Sequence, residues 1–121
     1  MNSKYRAKDA DVYFDRLRII HKAIDPNNAK VRIAMLDSGI NIRHPEMIKR
    51  KENGNIPLAK GFPDCLKPLE DLDGHGTHGA SVLFQTVPNA VLLVARVFND
   101  DGIMPPVNNY AATAEVIGLI L

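Results

Sequence analysis

The chain has 121 residues, 45% of them hydrophobic and 24% charged, with a formal net charge of +1. That length suits one domain or part of one, the apolar content excludes wholesale disorder, and the near-balance of charge leaves no field that would select nucleic acid or a membrane surface as partner. A single cysteine, Cys65, excludes an internal disulfide and fits a reducing compartment.

The N-terminal residues carry charges every few positions, with no apolar run long enough for a signal-peptide core or a bilayer span. An intracellular protein is expected. Tyr13, Leu17, Ile20 and Ile24 recur at helical spacing, widened by Phe14, and predict a helix over residues 8–24. A packing face at a domain edge is favoured over a docking helix for a partner. The turn residues Asp25, Pro26, Asn27 and Asn28 end it. Residues 1–28 are therefore taken as an amphipathic helix and linker, separate from residues 29–121.

Residues 31–36 form a short apolar run closed by Asp37-Ser38-Gly39, the pattern of a buried strand. Residues 43–72, rich in proline and glycine, are expected to be a long irregular connection. A helix over residues 75–86 is expected to open on a histidine. Pro88 and Asn89 turn the chain into a second apolar strand over residues 90–98. Asn99 to Gly102 turn it again, and a further helix is expected over residues 109–121. Its apolar end carries no helix stop signal, so a following segment is expected to cover it. Strands alternating with helices predict an α/β layered fold with a parallel sheet flanked by helices, incomplete in this chain.

Two segments carry chemistry. Asp37 stands directly after the first strand, and in open α/β sheets functional groups gather at the carboxyl ends of strands. The same residues also suit a plain turn with a capping carboxylate. The second segment is Asp73-Gly74-His75-Gly76-Thr77-His78-Gly79-Ala80-Ser81. Flanking glycines leave His75 open to close approach. Small residues at positions 79–81 suit a helix packed tightly on its neighbours. An imidazole general base needs a second group to hold it, and Asp37 can be that group. His75 and His78 are also spaced for one helix face, but there is no intervening glutamate and no cysteine pair as in zinc signatures. His78 is expected to be a packing histidine, and no metal or other cofactor is assigned.

Together the segments resemble a known family. Val31 to Ile40, followed by His44-Pro45-Glu46, resembles the aspartate motif of subtilases, the subtilisin-like serine peptidases of family S8. Gly74-His75-Gly76-Thr77-His78 resembles their histidine motif, and the order Asp before His agrees. The resemblance runs on through Val87-Pro88-Asn89-Ala90 and covers roughly residues 31–121. It implies that residues 29–121 are the N-terminal portion of a subtilisin-like peptidase domain. It implies hydrolysis of a peptide or protein substrate through an acyl-enzyme, with Asp37 as the orienting carboxylate and His75 as the general base. The nucleophilic serine of a Gly-Thr-Ser segment and the oxyanion asparagine are absent from the sequence.

Ser3, Ser38 and Ser81 do not stand in nucleophile-like turns, and nothing in the sequence orients Cys65 toward His75. Glu46 matches a carboxylate that contributes to calcium sites in some relatives, but the accompanying loop is missing and no calcium is expected. The chain alone is expected to be inactive. The alternative is a truncated pseudo-protease that acts as a non-catalytic binding module.

Overall fold

The computed structural model describes residues 3–23, 30–62, 65–99, 114, 115 and 118. Its elements are α1 (Ser3–Ala23), β1 (Arg32–Asp37), α2 (Pro45–Glu52), β2 (Leu58–Gly61), α3 (His75–Thr86) and β3 (Val91–Arg96). The strands form a three-stranded sheet in the order β1-β3-β2, and both pairings are parallel. The expected α/β architecture is present.

β3 lies in the middle, which explains its composition. A parallel strand covered on both faces reads as a continuous apolar run, and Leu92, Leu93, Val94 and Ala95 are all buried. Successive side chains point to opposite faces. Leu92 and Val94 join Met47 of α2 and Ala80 and Phe84 of α3 in the main core, with Ile33 and Met35 of β1 packed against it. Ala95 faces the other way, into a smaller cluster with Phe62 and Val97. β1 lies at the sheet edge and is only half-buried.

The structure corrects the reading of residues 43–72 as irregular, because α2 and β2 both lie there. Pro45 opens α2, where no backbone N–H is needed. Glu46 in the first turn and Lys49, Arg50 and Lys51 in the last suit the helix dipole. Arg50 then ties α2 to its neighbours. It donates to the Pro88 carbonyl at 3.0 Å and stacks 4.8 Å from the centre of the Phe84 ring.

α1 is also corrected. Of the expected stripe only Leu17 and Phe14 are covered among the described residues, with His21 beside them. Tyr13 and Ile20 are exposed, and Ile24 lies outside the described residues. The anchor is polar: His21 Nε2 donates to the Thr86 carbonyl at the end of α3, 2.8 Å away. The helix expected over residues 109–121 falls almost wholly outside the described residues, although 114, 115 and 118 are helical. The turn at residues 25–28 and residues 100–102 of the later turn also lie outside them. No helix among the described residues is long and apolar enough to cross a membrane.

This division of burial sets the cost of truncating side chains. Phe84→Ala should lower the unfolding free energy by about 3–5 kcal/mol, because Phe84 is fully buried. Ile20→Ala on exposed α1 should change it by less than about 0.5 kcal/mol. Urea titrations of the two variants measure both, and a large cost at Ile20 would restore the original stripe.

Candidate active site

β1 ends on Asp37 and α3 begins on His75, and the fold brings these two ends together. His75 Nδ1 lies 2.8 Å from Asp37 Oδ1 and 2.9 Å from Oδ2. A carboxylate can only accept, so the ring presents Nδ1–H to it. The histidine side chain is 77% exposed, whereas that of Asp37 is 17% exposed. The ring therefore stands at the surface on a half-sunk carboxylate, and its Nε2 has no hydrogen-bond partner among the described residues. A shallow recess of about 250 Å³ beside the pair is lined by Asp37, Ser38, Asp73, His75 and Phe98. The larger recess, about 810 Å³, is lined by residues such as Ile42, Leu58 and Leu69 and includes neither member of the pair.

Two glycines permit this approach. A Cβ on Gly76 would lie 2.0 Å from the Gly39 carbonyl oxygen and 3.1 Å from Ser38 Oγ. Gly39 has φ +92°, and a Cβ there would meet the Glu70 and Pro68 carbonyl oxygens at 2.7 and 2.8 Å. The first turn of α3 can thus rest on the turn after β1 only if both positions lack side chains. Gly79 does not share this role, because a Cβ there would meet nothing within 4 Å. The expected tight packing of residues 79–81 holds at Ala80, which is fully buried.

A helix normally leaves its first N–H groups without intrahelical partners. Here four in succession have side-chain acceptors. The N–H groups of Gly74 and Thr77 donate to Asp71, that of His75 to Asp73, and that of Gly76 to Ser38 Oγ. The Ser38 hydroxyl in turn donates to Asp71 Oδ1 at 2.8 Å. Asp71 is a residue the sequence reading passed over. Its position three residues before Gly74 was the available signal, since aspartate side chains commonly bond nearby backbone ahead in the chain.

Burial pushes the Asp71 pKa up, but the bonds from the Thr77 hydroxyl, the Gly74 and Thr77 N–H groups and the Ser38 hydroxyl outweigh it, so the pKa lies below the usual carboxylate value. That contribution to stability is present above the ordinary aspartate pKa and is lost as pH falls through the folded value. His75 moves the other way. The hydrogen bond that the ring donates to Asp37, and the charge of that carboxylate, raise the His75 pKa above 6.5, helped by Asp73 and Asp71.

Ser81 Oγ donates to Glu46 Oε2 at 2.7 Å, so both tie α3 to α2. His78 is exposed, which corrects its reading as a packing histidine. Cys65 is free and exposed and does not line the recess beside His75. Among the described residues, no group of three or more histidine, cysteine, aspartate or glutamate side chains is placed to hold a metal ion. Ser3 begins α1.

No protein-family model matches the chain. It is similar to an intracellular serine protease of Paenibacillus polymyxa, 32% identical over 83 residues. The match covers 60% of this chain and 24% of that protein, so the chain spans about a quarter of its relative's length. At this level the chain is protease-like.

Two measurements probe the geometry. Gly76→Ala should cost about 3 kcal/mol or more of stability, since backbone rather than a flexible side chain blocks the methyl group. Chemical denaturation reads the loss. In an NMR titration His75 should have a midpoint above 6.5, and Asp37→Asn should bring it down toward that value. The stabilisation linked to this raised pKa is complete below 6.5 and fades as pH rises through the folded midpoint. An unchanged midpoint in Asp37→Asn would count against the bond.

Proposed function

We propose that residues 29–121 are the Asp- and His-bearing portion of a subtilisin-like serine endopeptidase domain, with residues 1–28 as an appended helix and linker. The observation that carries this reading is the exposed His75 ring held through Nδ1 on the Asp37 carboxylate. With Nδ1 engaged, Nε2 is the nitrogen left to take a proton. In the proposed reaction a serine hydroxyl attacks the peptide carbonyl carbon while Nε2 accepts its proton. Asp37 keeps the ring in the required tautomer and stabilises the imidazolium. The protonated ring then gives the proton to the departing amine, and water resolves the acyl-enzyme.

The serine and the oxyanion donor would come from a segment outside these 121 residues. Ser38 and Ser81 are committed to Asp71 and Glu46. The match to part of a longer serine protease supports this arrangement. The relative's description as intracellular supports an intracellular setting, and its protease activity supports a peptide or protein substrate. The absence of a hydroxyl at Nε2 among the described residues favours one second reading, a module that binds peptide without cleaving it.

A graft separates the two. The matched segment of this chain would replace its counterpart in the Paenibacillus polymyxa protease, and peptide hydrolysis would be assayed. The peptidase reading expects an active graft. His75→Ala should then lower kcat by about 10⁶-fold and Asp37→Ala by about 10⁴-fold, following the losses seen in subtilisin. A folded graft that binds a peptide inhibitor and hydrolyses nothing would favour the binding module.

A further inference from the structure

Asp71 is buried, 8% exposed, in a loop that contributes neither member of the Asp37–His75 pair. Its two oxygens divide their partners evenly. Oδ1 accepts from the Ser38 hydroxyl at 2.8 Å and the Gly74 N–H at 2.9 Å. Oδ2 accepts from the Thr77 N–H at 2.9 Å and from the Thr77 hydroxyl. The carboxylate's acceptor sites are thereby filled. The partners are the residue after Asp37 and two residues that bracket His75. Thr77 Oγ1 also accepts from the Asn41 N–H at 2.8 Å, which adds a second link to the chain leaving β1.

We propose that Asp71 is the positioning residue of the Asp37–His75 pair, clamping the end of β1 to the first turn of α3 so that the imidazole meets the carboxylate in one fixed geometry. The inference rests on the reading of that pair as catalytic. Asp71 touches neither reacting atoms nor substrate and acts through Ser38, Gly74 and Thr77.

The chemistry requires a carboxylate at this place. Each oxygen holds one backbone N–H, which can only donate. An asparagine would turn its NH₂ toward one of those N–H groups in either orientation and lose that bond. A serine or threonine could not span both oxygen positions. Charge also contributes, because a carboxylate near helix N–H groups faces the positive end of the dipole. Residue 71 thus satisfies donors that burial would otherwise leave unpaired, and in doing so it sets where His75 stands.

The test is NMR on the full 121-residue chain, observing the His75 Nδ1–H resonance and the His75 titration midpoint. Asp71→Asn should speed exchange of that proton about tenfold or more, as expected when a charged hydrogen bond loosens, and should bring the midpoint down. Asp71 is one of three carboxylates whose charge reaches His75, with Asp37 and Asp73. Ser38→Ala therefore provides the necessary companion, because it cuts the clamp without removing charge. It should move both readouts in the same direction. Faster exchange in Ser38→Ala, with circular dichroism and thermal melting that show a folded chain, supports the proposal even if Asp71→Asn does not fold. Unchanged exchange in folded Ser38→Ala overturns it, as does an Asp71→Asn shift that high salt abolishes, which is a field effect alone. The peptidase reading fails separately. An inactive graft beside the expected NMR changes leaves the clamp standing, whereas an active graft with indifferent NMR removes the clamp and keeps the peptidase.

Discussion

Between the Gly39 carbonyl and the Cα of Gly76 there is no space for a methyl group, and this contact of backbone on backbone determines what surrounds it. It lets the first turn of α3 sit on the turn that follows β1. Once that distance is set, Asp37 and His75 have only one side-chain length to cross. Arg96 supports the same turn from behind. It is buried at the end of β3 and donates to the Lys67 and Glu70 carbonyls at 3.0 and 3.2 Å. Those carbonyls belong to the loop whose Pro68 and Glu70 oxygens crowd Gly39. One cation thus holds in place the Glu70 carbonyl, one of the two that leave no room for a side chain at residue 39.

The electrostatics of the site follow from the same closeness. Asp37, Asp71 and Asp73 all lie at the N-terminus of α3, where the helix dipole favours negative charge. Their environments nevertheless separate their roles. Asp71 is buried and saturated by donors. Asp73 is exposed and caps a single N–H. Asp37 lies between them in burial and presents its carboxylate to the imidazole. Three identical side chains thereby serve as clamp, cap and ring partner, separated by burial and by the donors each one meets.

Much of this was legible in the sequence where the local pattern and the tertiary fold agree. The apolar runs before Asp37 and after Pro88 became β1 and β3, and the glycine-flanked histidine opened α3. The Asp37–His75 pairing was legible because an aspartate closing a strand and a glycine-flanked histidine opening a helix form two recognisable segments. α2 and β2 were hidden by Pro45, Gly54 and Pro57, which read as breakers although Pro45 sits at the one helical position that welcomes it. β2 has only four residues, too few for a periodicity. In α1, apolar residues spread over more than one face, so spacing alone could not separate the covered Phe14 and Leu17 from the exposed Tyr13 and Ile20. Asp71 was hidden for a different reason. Its bonds to Gly74 and Thr77 are local, but its link to the end of β1 depends on Ser38, thirty-three positions away in sequence, and no local pattern announces such a partner.

The place of β3 in the sheet has a consequence for biosynthesis. Among the described residues β1 and β2 have no hydrogen-bonded contact with each other, and each pairs only with β3. On the ribosome, the first two strands, with α2 and α3, emerge before the strand that joins them. Until residues 91–96 leave the exit tunnel there is no sheet for α2 and α3 to cover, and Asp37 lacks the backbone pairing that orients the end of its strand. Such long-range pairing is slow to form, and waiting strands with open edges are vulnerable to wrong partners. The nascent chain must therefore keep two unpaired strands apart from other chains until a third arrives between them.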